Sequence, residues 1–181
     1  MKNTKKVLVL AASARRGGNS DLLCDEFVRG AQQAGHTVEK IFLRDKKVGY
    51  CTGCYYCEQS KGICAIKDDM ADILEKIIQA DVLVLGTPVY FYCMNAQLKT
   101  VTDRSVARYT EIEHKDAYLI ATAGEDDAKA VEGTVTSLRG FLSCLNDVRE
   151  AGMVVAHGVH AKGEVANTPY MQQAYEMGKN L

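Results

Sequence analysis

Four cysteines stand close together at Cys51, Cys54, Cys57 and Cys64, in the spacing C-x2-C-x2-C-x6-C. Thiolates so placed can wrap a soft metal ion or an iron–sulfur cluster, and two successive short gaps crowd three of them as cluster ligands are crowded. The spacing is not that of a bacterial ferredoxin run, because the last gap is longer and no proline follows Cys64. Zinc, a redox disulfide and reduced metal-free thiols are the other states that these residues allow. A second stretch able to do chemistry is Ser13-Ala14-Arg15-Arg16-Gly17-Gly18-Asn19-Ser20. Hydroxyls, glycines and arginines leading into a helix offer what a phosphate needs: free backbone N–H groups, short donors and the positive end of the dipole. Neither G-x-G-x-x-G nor G-x-x-x-x-G-K-[ST] occurs, so the loop reads as a cradle for one phosphate rather than for a dinucleotide.

Two further segments have the character of a binding edge. Gly86-Thr87-Pro88-Val89-Tyr90-Phe91-Tyr92 sets three aromatics beside a proline, which suits either a flat ring to be covered or a subunit interface. Thr122-Ala123-Gly124-Glu125 is a small turn through which backbone amides can approach a ligand. Other candidates read as structural. His157 and His160 have no acidic or thiol neighbour in sequence and are expected to be a loop pair. Asp68 and Asp69 are expected to start a helix rather than to act as an acid–base pair. Cys24, Cys93 and Cys144 are expected to serve as small hydrophobes.

The elements that must carry these segments alternate. Val7–Ala11, Val82–Gly86, Tyr118–Ala121 and Met153–Ala156 are short apolar runs of the kind that parallel strands show when both faces are covered, and Val38–Leu43 alternates like a strand. Between them lie helical patterns. Leu23, Phe27, Ala31 and Ala34 share one face, with Gly35 as the stop. Met70, Ile73, Leu74, Ile77 and Ile78 recur at helical spacing behind the acidic pair. A helix is expected from Pro88 to about Arg108, another along Val131–Leu145, and a last one opened by Thr168-Pro169. Strands separated by helices require right-handed crossovers. The expected fold is an α/β, flavodoxin-like, doubly wound five-stranded parallel sheet of order 2-1-3-4-5, helices on both faces.

Composition agrees with a globular chain. The 181 residues suit one domain, 1–181, with a cysteine-rich loop at 49–67; no repeat, low-complexity tract or linker is seen. Apolar residues make up 47% and charged residues 25%, and 22 basic against 23 acidic side chains leave a net charge of -1. That balance lacks the footprint of a nucleic-acid binder, and no apolar run approaches the roughly 18 residues of a membrane helix. The Met1–Lys6 start does not read as a secretory leader, and with an odd total of seven cysteines a cytoplasmic location is expected.

Taken together, Ser13-x-Arg15-x-x-Gly18-Asn19-Ser20, Pro88-Val89-Tyr90-Phe91, Leu98-Lys99 with Asp103-Arg104, and Thr122-Ala123-Gly124 resemble the NADPH-dependent FMN reductase family of flavodoxin-like proteins, from Lys5 to about Val155. Ala14 stands where many members carry proline. The resemblance implies that Ser13, Arg15, Gly18, Asn19 and Ser20 form the FMN phosphate loop. It implies that Pro88, Val89, Tyr90 and Phe91 border the isoalloxazine and ribityl chain, and that Thr122, Ala123 and Gly124 meet the ring's polar edge. It also implies NADPH or NADH as electron donor, a small-molecule acceptor such as a flavin or quinone, and a homodimer or higher homo-oligomer. No catalytic acid or base is named, since the flavin carries the chemistry. The four cysteines resemble the compact motif of the iron–sulfur flavoproteins, a branch of the same family. That implies [4Fe–4S] ligation by Cys51, Cys54, Cys57 and Cys64, with ferredoxin as a partner. Members with such a loop before Asp68-Asp69-Met70 also occur without a cluster, where the loop is an active-site rim or subunit contact. A signalling receiver shares the strand order, but Ala11-Ala12-Ser13 and Gly86-Thr87-Pro88 stand where its acidic residues would be.

Overall fold

The structure, a computed structural model, describes residues 4–181; Met1–Asn3, part of the segment read above as no leader, lie outside the described residues. The chain runs β1 (Lys6–Ala11), α1 (Asn19–Gln33), β2 (Thr37–Phe42), a short α2 (Tyr56–Gln59), α3 (Met70–Gln79), β3 (Val82–Tyr90), β4 (Cys93–Met94), α4 (Ala96–Arg104), β5 (Glu113–Thr122), α5 (Glu132–Ser143), β6 (Asn146–Ala156) and α6 (Tyr170–Lys179). Five strands lie parallel in the order β2-β1-β3-β5-β6. The flavodoxin-like parallel sheet with helices is as expected, but the strand count is not: among the described residues there is a sixth strand, β4, antiparallel to the end of β3.

The two-residue alternation of strand side chains divides β1 between two cores. Leu8 and Leu10 pack with Met70 and Ile73 of α3, Leu98 of α4 and Leu138 of α5. Val7, Val9 and Ala11 face the other way, onto Leu23 and Phe27 of α1 and Ala174 of α6. Each large apolar side chain so buried contributes about 1.5–3 kcal/mol, enough to hold the strand ends as a fixed frame.

The helix expected from Pro88 onward is replaced by strand, hairpin and a shorter helix. β1 ends at Ala11, opposite Gly86, so Pro88 lies beyond that ladder and costs no hydrogen bond to β1, while it still pairs with Thr122 of β5. The chain then reverses at Phe91 and Tyr92, whose φ values are 50° and 63°; Tyr90 pairs with Cys93 across this two-residue loop. Both residues are left-handed, as a type I′ hairpin requires. α4 begins only at Ala96, where the Asn95 side chain accepts the Leu98 N–H at 3.2 Å. β5 and β6 are also longer than their apolar runs, because each begins with polar, exposed residues. No described helix is long and apolar enough to cross a membrane.

Candidate functional site

The β1–α1 loop folds on its own side chains. Ser13 Oγ donates to the Arg15 carbonyl at 2.7 Å and accepts the Arg15 N–H at 3.2 Å, and Gly18 N–H donates to the same carbonyl at 3.0 Å. A Cβ on Gly18 would lie 2.6 Å from Ser13 Oγ and 2.9 Å from Arg15 O, so the tight loop has no room for a side chain there. Gly18 is the N-cap of α1, and the first N–H groups of that helix have no intrahelical partner. Ser20 is buried in its first turn, and among the described residues its Oγ has no hydrogen-bond partner. A buried hydroxyl left unpaired costs about 1–3 kcal/mol, which a ligand oxygen at this point would offset.

These groups open onto a cavity of about 520 Å³ at the carboxyl edge of the sheet. Ser13, Arg15, Asn19 and Ser20 line one side, Pro88, Val89 and Tyr90 a second, and Thr122 and Gly124 a third. Gly18, Phe91 and Ala123 do not reach it. Gly18 acts through the shape of the loop, and Phe91 is fully exposed at the hairpin tip. Ala123 is buried: its N–H donates to Ala156 O, and its carbonyl accepts the Val159 N–H, which aligns the segment after β6.

That segment contributes residues that no sequence signal beyond the H-x2-H spacing marked. Val159 and His160 line the cavity, and a Cβ on Gly124 would stand 2.8 Å from His160 Nδ1. Asn19 fastens them. Its Nδ2 donates to Val159 O at 2.9 Å and Ala161 O at 3.0 Å, while its Oδ1 accepts the Val165 N–H at 3.2 Å. The Asn19 side chain is therefore committed within the protein, and what it offers a ligand is its backbone N–H. His157 pairs instead with Asp126, at 2.8 Å, so the two histidines do not converge. In the hairpin, Tyr92 OH lies 3.2 Å from both Glu125 carboxylate oxygens, a contact that raises the Tyr92 pKa.

The cysteine loop forms a separate region. Cys51, Cys54, Cys57 and Cys64 all line one cavity of about 360 Å³, with Val106 and Ala107 beyond α4 on its far wall. All four are free thiols, Cys51 and Cys54 exposed. The Tyr56 backbone N–H and the Thr52 hydroxyl hold the Cys54 thiol below its ordinary pKa, easing formation of the thiolate that a metal needs. The donor set fits four-thiolate ligation in type and in shared cavity. Among the described residues, no three metal-ligating side chains yet converge on a point.

The loop is closed at its neck. Asp68 accepts the Gly49 and Met70 N–H groups at 2.8 and 3.1 Å, and Asp69 accepts that of Lys47 at 2.7 Å. Asp68 thus starts α3 as expected, and it also meets Arg104 in a two-pronged ion pair. Among the described residues, none lines both the thiol cavity and the 520 Å³ cavity.

A doubly wound parallel sheet with a phosphate-type helix N-terminus at its carboxyl edge defines a flavodoxin-like protein. Residues 5–166 match the family described as NADPH-dependent FMN reductase, and the chain belongs to that family. It is similar to an iron–sulfur flavoprotein of Methanocaldococcus jannaschii, 42% identical over 100 residues that cover 55% of this chain and 51% of the relative. An iron–sulfur flavoprotein of Archaeoglobus fulgidus is 35% identical over 99 residues, 55% of this chain and 44% of that one. These matches span about half the length of the curated relatives. The fold is that of the NAD(P)H:quinone oxidoreductase from Methanothermobacter marburgensis, with a TM-score of 0.78 at 22% identity over 98% of this chain and 96% of the other.

Proposed function

We propose that this chain binds FMN in the 520 Å³ cavity and passes electrons from NADPH or NADH to an acceptor. The observation that carries the reading is the unpaired Ser20 Oγ, buried beside the free N–H groups at the start of α1. In this reading those donors hold the phosphate, with Arg15 closing over it from the solvent side. Pro88, Val89 and Tyr90 bear on the ring and ribityl chain, and Thr122, Gly124 and His160 bound the opposite edge. FMN so held would take up hydride from the nicotinamide and release electrons to the acceptor, while the side chains fix its position and exclude water. The exposed Tyr90, Phe91 and Tyr92 suit a homodimer in which a second copy covers the ring, and the cytoplasm suits the free thiols. Heat release and chromatography of the bound chromophore test the assignment. FMN is expected; FAD, or a colourless protein that takes up no FMN, overturns it.

A second reading is favoured by the cysteine cavity. We infer that Cys51, Cys54, Cys57 and Cys64 hold a [4Fe–4S] cluster, supported by the four thiols on one cavity wall and by likeness to relatives named iron–sulfur flavoproteins. The cluster would supply one-electron transfer, and ferredoxin-type partners become acceptors. Iron and sulfide assays on protein purified without oxygen are expected to find four of each per chain, by the composition of the cluster. Protein that keeps FMN but binds no iron after anaerobic reconstitution overturns this second reading and leaves the first.

A further inference from the structure

Beside the thiol cavity lies another, of about 610 Å³, and the two meet at Cys64, Ile66, Arg104 and Ala107. Arg104 ends α4, and its side chain is only 2% exposed. Burying a guanidinium requires that its five N–H donors be met. Nη1 donates to Gly49 O at 2.7 Å and Asp68 Oδ2 at 2.8 Å, and Nη2 donates to Asp68 Oδ1 at 3.1 Å. Among the described residues Nε has no partner.

The group is otherwise held as firmly as a side chain can be, so an unpaired donor on it is unexpected unless something is to be donated to. Cys64 is the polar side chain that shares both cavity walls with Arg104 apart from the pair's own neck.

We propose that Arg104 is a positioning residue for Cys64, its remaining N–H groups aimed at the Cys64 sulfur. The proposal rests on the cluster reading given above. Asp68 largely neutralises the guanidinium at a distance, so the effect is short-ranged and acts through hydrogen bonding to sulfur. Donation to a ligating sulfur stabilises the more negative, reduced state, so Arg104 raises the cluster's reduction potential and keeps the fourth thiolate in register with the three on the loop. The other charged side chains around the two cavities are placed differently. Arg108 is already paired with Glu75 and Glu111 at 2.7 and 2.8 Å, and Lys67 donates to the Cys64 carbonyl rather than to its sulfur.

The test uses full-length protein reconstituted without oxygen, read by iron content, FMN content and an EPR-monitored redox titration. Arg104→Lys keeps the charge but loses the fork and Nε. It is expected to retain FMN and to show either a lower cluster potential or a loss of iron. Arg104→Met with Asp68→Asn removes the pair without stranding a buried charge and is expected to do the same. Arg108→Lys, in the neighbouring wall, is expected to leave the potential unchanged. Wild-type potential and iron content in both Arg104 variants overturn the proposal, as does an equal shift in Arg108→Lys. Absence of iron from the wild-type protein overturns the cluster reading and this proposal together, whereas iron in the wild type with unchanged Arg104 variants overturns this proposal alone.

Discussion

The cavity at the carboxyl edge is walled by strand ends and by a helix N-terminus whose places are set by two apolar cores. The cysteine loop, in contrast, is fastened at its neck through Asp68, Asp69 and Arg104, and carries its thiols on backbone that is largely solvent-exposed. In the first region donors stand ready before any ligand is present, down to a buried hydroxyl with nothing to bond. In the second, the ligating groups share a cavity without converging. The difference shows where each region's order comes from. One is organised by the fold, and the other is to be completed by what it binds, as metal-coupled loops commonly are.

The largest expected effect separates the two outright. Cys54→Ser together with Cys57→Ser is expected to abolish iron binding while FMN content stays at the wild-type level, measured on one sample by iron assay and visible spectrum. Parallel loss of FMN would mean that the regions are not independent. Next in size, Arg15→Ala is expected to weaken FMN binding about tenfold, within the range for a hydrogen bond to a charged group after allowance for solvent exposure. Arg29→Ala, which removes an exposed arginine paired with Glu26 and stacked on Tyr175 of α6, is expected to change nothing in the same fluorescence titration. Equal weakening would remove Arg15 from the phosphate loop.

Gly18→Ala tests how rigid the first region is. The new methyl must displace the Ser13 hydroxyl or the Arg15 carbonyl, so the FMN-free chain is expected to lose about 1–3 kcal/mol in a urea titration. Unchanged stability would show that the loop yields and is not preorganised. Ser20→Ala sharpens the same point with a smaller and opposite pair of changes. Removing a hydroxyl that lacks a partner is expected to leave the FMN-free chain as stable as before or slightly more so, while FMN affinity falls about fivefold, or ~1 kcal/mol. A fall in the stability of the FMN-free chain would mean that Ser20 already has a partner there.

The weakest expected effect concerns the neck of the loop. Burial opposes charge on Asp68, but Arg104 and the Gly49 and Met70 N–H groups outweigh it and hold its carboxyl below the ordinary carboxylate value. A depressed folded-state pKa stabilises fully above the unfolded value, near ~3.9, and the contribution is lost as pH falls through the folded value. Amide protection in residues 49–67, taken relative to the intrinsic exchange rate at each pH, is therefore expected to fall in acid while that of β1 is kept. Simultaneous loss in both segments would show that the neck is no weaker than the sheet.

The parts of this fold that were legible in the sequence are those where local pattern and packing agree. β1 and β3 are continuous apolar runs because both faces are covered, and α3 repeats its apolar residues at helical spacing behind Asp68-Asp69. The β1–α1 loop was legible as a turn into a helix, because glycines and serine mark such a turn; its use as a phosphate cradle belongs to the proposed function. The charged starts of β5 and β6 were not, since Glu113, His114, Asn146 and Asp147 lie at exposed ends where hydropathy carries no strand signal. The β3–β4 hairpin was hidden for another reason: Phe91-Tyr92 is not turn chemistry, and Pro88 suggested a helix start. His160 enters the cavity through Asn19, a contact across more than a hundred residues that no local spacing encodes.

That hairpin has a consequence for how the protein could change. Two bulky L-residues in left-handed backbone cost about 1–3 kcal/mol each, and the turn is seated by its backbone, with the Tyr92 carbonyl so near Gly133 of α5 that a Cβ there would sit 2.3 Å away. Asn-Gly in their place would suit the turn better and remove both rings from the exposed hairpin tip. Thermal tolerance and aromatic surface are thus opposed at two adjacent positions. Directed evolution toward heat resistance alone should find this turn early, and the rings should survive only under selection for what they touch.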